Sequence, residues 1–230
     1  MFLKDEINLP LAVQDFLPVA LVAVGLFFVA KMIAGRNAAL GNLAFTGGIL
    51  VTLGGVFKAT WKLIQAVGGA DISWLNYSLF VLLSAGFIAL AWAVWKSRTM
   101  ETAIAKIWLP PTILTLILWS IAAYFGFFTD SRAWFFILLA ATTLANIALL
   151  VQLISRAVKN RLWLVAALYL FNFLVILALA RNTDQTVTMQ WLKQILTTFA
   201  QLSFAVASLI FYKYELPNLD RTEYHNPDFK

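Results

Sequence analysis

Residues 133–156 read AWFFILLAATTLANIALLVQLISR, with a single charge, and that charge is the last residue. As a helix this stretch is about 36 Å long, enough to cross the roughly 30 Å hydrocarbon core of a bilayer. No soluble domain of this size hides such a run easily, because exposed apolar patches of that extent drive aggregation.

Six comparable stretches flank it, at about 15–34, 39–60, 73–96, 104–126, 161–181 and 188–212. The links between them are short and carry Gly, Asn, Asp, Ser, Lys and Arg, the residues of turns and rims. Overall the chain is 62% hydrophobic and 12% charged, with a mean hydropathy of +0.83. A soluble chain carries about 25% charged residues. The expected fold is therefore an all-α integral membrane protein, a bundle of seven transmembrane helices. It forms one domain over 1–214, followed by a polar tail over 215–230. The N-terminus lacks a short apolar stretch with a small-residue cleavage site, so no removable signal peptide is expected.

Charge sets the expected orientation. Of the 17 basic residues, one side of the bundle collects eleven, among them Lys31, Arg36, Lys96, Arg156, Lys159 and Arg161. The richer side is expected to be cytoplasmic, with the N-terminus outside and the C-terminus inside, in a plasma (inner) membrane. Trp61, Trp74, Trp134 and Trp191 then fall at the outer rim, and Trp95, Trp108 and Trp163 at the inner one, as interfacial anchors. The net charge of +6 reads as loop charge facing anionic lipid rather than as a nucleic-acid surface.

Shifting the chain by 117 residues lays the first span on the fifth and the third on the seventh. Trp74-Leu75 then meets Trp191-Leu192, Phe87 meets Phe204, and Ser84 meets Gln201. This pattern suggests a three-plus-one-plus-three plan of parallel repeats with the fourth span as linker. The second span registers less well on the sixth.

Depth picks out the candidate site. Asn146, Asn172 and Gln201 lie near the middle of the last three spans, at one level of the bilayer. A carboxamide in hydrocarbon is costly without a partner, so these should face inward. Ser84 and Thr115 lie at similar depth. Along the last span Gln190, Gln194, Thr197, Gln201 and Ser208 recur at helical spacing on one face. Two readings compete: a polar vestibule leading to a ligand, or interhelical hydrogen bonds that lock the bundle.

No ionisable residue lies in the centre of any span, which disfavours a proton relay. Asp15, Lys58, Lys62 and Lys193 lie toward the outer rim. Lys58 can snorkel to the interface; the sharper expectation pairs it with Asp15 or Asp71 in an outer-rim charged site. Gly47-Gly48 and Gly54-Gly55, seven residues apart, return to one helix face and should let a neighbour approach closely. Pro18 is expected to kink the first span, and Pro110-Pro111 to bend or unwind a turn of the fourth.

Absences narrow the chemistry. There is no cysteine, and the one histidine, His225, lies in the tail. Thiolate or histidine metal sites, haem ligation and a Ser–His pair are all without residues. A retinal Schiff base needs a lysine at the middle of the last span, where Gln201 stands. No cofactor, metal or enzymatic activity is expected. The expectation is a small transporter or channel-like protein for a neutral or weakly polar solute. Asn146, Asn172, Gln201, Ser84, Thr197 and Gln194 would bind that solute. The alternatives are a sensor acting through its cytoplasmic loops and tail, or a structural or lipid-organising subunit. Membrane lipids, a small solute and a homo-oligomeric or membrane-complex partner are the expected associations.

Overall fold

A computed structural model describes residues 9–97, 103–129, 131–181 and 186–223. The described residues form helices joined by short turns, with no strand among them. In chain order these are α1 (Leu9–Gln14), α2 (Phe16–Ala34), α3 (Ala38–Ala66), α4 (Ser73–Lys96), α5 (Ile104–Phe128), α6 (Ala133–Lys159), α7 (Trp163–Arg181) and α8 (Val187–Glu223). Among the described residues six spans are long and apolar enough to cross a membrane, with α1 and α2 together forming the first. The apolar stretch of α7, Trp163–Leu179, is shorter. The chain is thus a helical, multi-pass membrane bundle.

The helix boundaries have local causes. Pro18 has no N–H to give the carbonyl of Gln14, and its ring crowds that carbonyl; the helix breaks there, between α1 and α2. Asn37 caps α3 by accepting from the Leu40 N–H at 3.1 Å. The α3–α4 link turns at Gly68, whose φ of +75° suits a residue without Cβ. Pro110-Pro111 behave differently from expectation: α5 runs through them as one helix. They are the seventh and eighth residues of α5, past the first turn, so two intrahelical hydrogen bonds are forgone while the fixed φ still suits a helix.

Six helices close a ring in the order α2, α3, α4, α6, α7, α8 and back to α2. Helix α5 stands outside it, against α4 and α6. Only Ile107, Pro111, Thr115 and Ala122 of α5 are buried; Leu114, Leu116, Ile117, Phe127 and Phe128 face outward. Such a surface suits hydrocarbon rather than water.

Glycines bring α3 against α4. A Cβ on Gly86 would lie 2.6 Å from the Gly47 carbonyl oxygen, and one on Gly47 would lie 2.7 Å from that of Gly86. The backbones meet there with nothing between them. Gly54 faces Leu83 of α4, while Gly48 and Gly55 turn toward Leu26 and Val19 of α2. The paired glycines therefore serve two neighbours at once.

The two ends of the bundle differ. The closely packed core, including Met32, Leu40, Leu90, Leu153, Tyr169 and Phe211, fills the half in which α2, α4 and α6 end. We call this the Glu215 end and the opposite one the Asp15 end. Helix α8 is longer than the span read from sequence. It continues through Glu223, so residues 215–223 are helix rather than loose tail, and Glu215 is buried.

Candidate functional site

Asn146, Asn172 and Gln201 line one cavity of about 320 Å³, within the ring and above the packed core. Asn146 comes from α6, Asn172 from α7 and Gln201 from α8. Leu26 of α2 and Phe80, Leu83 and Phe87 of α4 complete the wall. The volume is at the small end for ligand sites, and the lining matches their usual character, apolar with a few polar groups.

The three amides are not equivalent. Asn172 is buried and donates from Nδ2 to the Ala200 carbonyl at 2.9 Å, tying α7 to α8. Asn146 and Gln201 are half-buried, and their side chains make no hydrogen bond with the described residues. Thr142, one turn before Asn146, also lines the cavity, and its buried Oγ1 finds no partner among the described residues. Unpaired polar groups on a shared wall are what a locking network would not leave behind.

The remaining candidates disperse. Ser84 does not face the cavity, although its neighbours Leu83 and Phe87 do. It accepts from the Trp119 indole N–H at 3.2 Å and donates to the Val81 carbonyl, so it faces α5. Each helical residue turns the chain by about 100°, and a single position separates two faces. Thr197 bonds back to the Lys193 carbonyl at 2.8 Å and stays off the cavity wall. Gln194 places its Nε2 in a buried position with no described partner, a step toward the Asp15 end. Beside it Thr198 accepts from Gln14 Nε2 of α1 at 3.3 Å. Ser208 pairs with the buried Tyr169 hydroxyl at 3.1 Å, below the cavity.

The charges at the Asp15 end also pair otherwise than expected. Asp15 binds Lys62 at 2.5 Å, not Lys58. One helical turn separates the two lysines, and the one nearer the helix end meets Asp15 at the α1–α2 break. Lys58 is half-buried and takes no ion-pair partner among the described residues. Asp71 accepts from the Trp61 indole at 2.8 Å, Ser73 Oγ at 2.8 Å and Gln65 Nε2 at 3.1 Å. Hydrogen bonds from Trp61 and then Ser73 hold its carboxyl below the ordinary 3.8.

A second polar centre, missed in the sequence, closes the Glu215 end. Arg156 Nη2 meets Glu215 Oε2 at 2.6 Å, and Arg36 reaches the same oxygen through Nε at 3.2 Å and Nη2 at 3.1 Å. The Arg156 guanidinium also lies 5.5 Å from the centre of the Phe211 ring. Both Arg156 and Glu215 are buried. The only hint in the sequence was an acidic residue at the foot of the last span, on the side rich in Arg and Lys.

No family model, curated protein or solved structure matches the chain.

Proposed function

We propose that this protein is a non-enzymatic facilitator for a small neutral polar solute, held at the bilayer midplane by Asn146, Gln201 and Thr142. The observation that carries this reading is the pair of unbonded amides, Asn146 and Gln201, sharing one cavity wall. Carboxamides offer both donors and acceptors, so they suit hydroxyl or amide solutes and have no charge to attract an ion. Asn172, already bonded to Ala200, holds the α7–α8 wall in place. Polar groups above the cavity at Gln194, Thr198 and Gln14 favour approach from the Asp15 end. The packed core and the Arg36–Glu215–Arg156 cluster close the other.

In this reading the Glu215 end is cytoplasmic, in a plasma membrane, following the excess of basic residues. The ring also suits the repeat plan, since the linker helix α5 is the one left outside it. With the 117-residue shift, Val22 corresponds to Leu139, Leu26 to Thr143 and Phe87 to Phe204. All six line the cavity. That correspondence supports a pseudo-two-fold axis passing through the site.

Stopped-flow swelling of proteoliposomes with glycerol, urea and small polyols tests the function. At least one probe should enter faster than into protein-free vesicles. Asn146→Leu and Gln201→Leu should each slow it by about tenfold, the equivalent of one lost hydrogen bond. Equal rates in the Asn146→Leu/Gln201→Leu double variant and the wild type would remove the site.

A further inference from the structure

A concavity larger than the amide cavity is an open groove of about 890 Å³ on the outer face, between α4, α5 and α6. Small side chains of α6, including Ala141, Ala145 and Ala148, form its floor, and Pro110, Pro111 and Leu114 of α5 form one wall. From Ile88 to Trp95 on α4 and from Pro110 to Leu118 on α5, those walls run about 10–12 Å. That is close to the depth of one leaflet, half of a roughly 30 Å hydrocarbon core.

Polar chemistry is confined to the rim at the Glu215 end, and it is layered. At the edge, Lys96 places Nζ 5.5 Å and 5.2 Å from the ring centres of Trp92 and Trp95. One helical turn deeper, the Trp92 indole N–H is buried with no described acceptor, although Trp92 lines the groove. Gln152 of α6 closes the same level, with Nε2 on the Ala91 carbonyl at 3.3 Å. Deeper still the wall is hydrocarbon. A cation, then an indole whose N–H would face the groove on tilting, then an apolar channel together mirror a phosphate, an ester carbonyl and an acyl chain.

We propose that this groove binds one anionic glycerophospholipid of the leaflet at the Glu215 end. Its phosphate lies at Lys96, and a glycerol ester carbonyl accepts from Trp92 Nε1 once the indole tilts toward the groove. One acyl chain lies along Ala141, Ala145 and Ala148. The net positive rim at this end, which also holds Lys106, Lys159 and Arg161, selects the anionic headgroup. Helix α5, standing outside the ring, is held to it partly through this lipid.

The test uses the full chain purified from bilayers of equimolar phosphatidylglycerol and phosphatidylcholine, with native mass spectrometry of the lipid it retains. The wild type should keep phosphatidylglycerol in preference. Lys96→Gln should cut that preference about fivefold, as expected for one basic residue at an anionic surface. Trp92→Phe should weaken retention of both lipids, and Ala145→Phe, which fills the floor, should abolish it. A phosphatidylglycerol carrying a photoreactive acyl chain should label peptides around 141–148. Equal retention of the two lipids by the wild type, or labelling spread over all helices, would overturn the proposal. So would a dimer that retains no lipid. Should Ala145→Phe fail to fold, the melting shift given by phosphatidylglycerol decides instead. It must be present in the wild type and reduced in Lys96→Gln.

Discussion

Glu215 shows how much a single residue depends on its surroundings. Read along the chain it begins a polar tail; in the fold it is 2% exposed, with two guanidiniums on one of its oxygens. Removing one partner of a buried ion pair leaves the other charge without compensation, at a cost of about 3–5 kcal/mol. Glu215→Ala should therefore lower unfolding stability by roughly that much, measured by denaturant titration in detergent micelles. Arg36, whose side chain is 39% exposed, can return to water, and Arg36→Ala should cost only about 0–1 kcal/mol. A loss for Glu215→Ala no larger than for Arg36→Ala would mean that the cluster does not hold the Glu215 end together. Asn146 and Gln201 show the opposite dependence. Their depth was legible from position in a span, and so was their need to face inward, because hydrocarbon offers an amide nothing. Their lack of partners was not legible, since it depends on which side chains the neighbouring helices bring to that level.

At the scale of elements, the α3–α4 pair rests on glycine. Gly86→Ala would drive a methyl into the Gly47 carbonyl, and backbone cannot swing aside as a side chain does. We expect a loss of about 1–3 kcal/mol, as for overpacking. Gly48→Ala meets Leu26 at an ordinary 3.4 Å and should be nearly neutral. The same titration compares the two, and equal effects would show that α3 and α4 are free to separate. The small-residue spacing was readable in the sequence, but its division between α2 and α4 was not. Pro18 and Pro110-Pro111 make a similar contrast. Pro18 breaks a helix, whereas α5 continues through its tandem pair although two N–H groups are missing there.

The whole molecule joins a well-packed half to a half that encloses a polar cavity, and this asymmetry gives the proposed path its direction. The absence of cysteine allows single reporters to be placed without background. A cysteine at Gly69, in the α3–α4 link, should react with a membrane-impermeant maleimide in intact cells. One at Asn160, in the α6–α7 turn, should react only after lysis. The reverse pattern would invert the orientation drawn from the basic residues. A cysteine at Asn146 should react with a small water-soluble thiol reagent added from the Asp15 side. One at Ser208, locked against Tyr169, should not.

The sequence by itself determined that the chain is a bundle of apolar helices fit for a membrane, roughly where each helix lies, and which polar residues fall near the middle of a helix. These follow from hydropathy, length and charge, which act locally along the chain. Only the tertiary structure decided which face each helix presents. It left Ser84 against Trp119 and out of the cavity, gave Asp15 to Lys62, moved α5 outside the ring and buried Glu215 between two arginines. The physical reason is rotational. Lipid-facing and neighbour-facing helix surfaces are both mostly apolar, so away from a few polar residues hydropathy marks no inward side, and packing sets the azimuth of each helix.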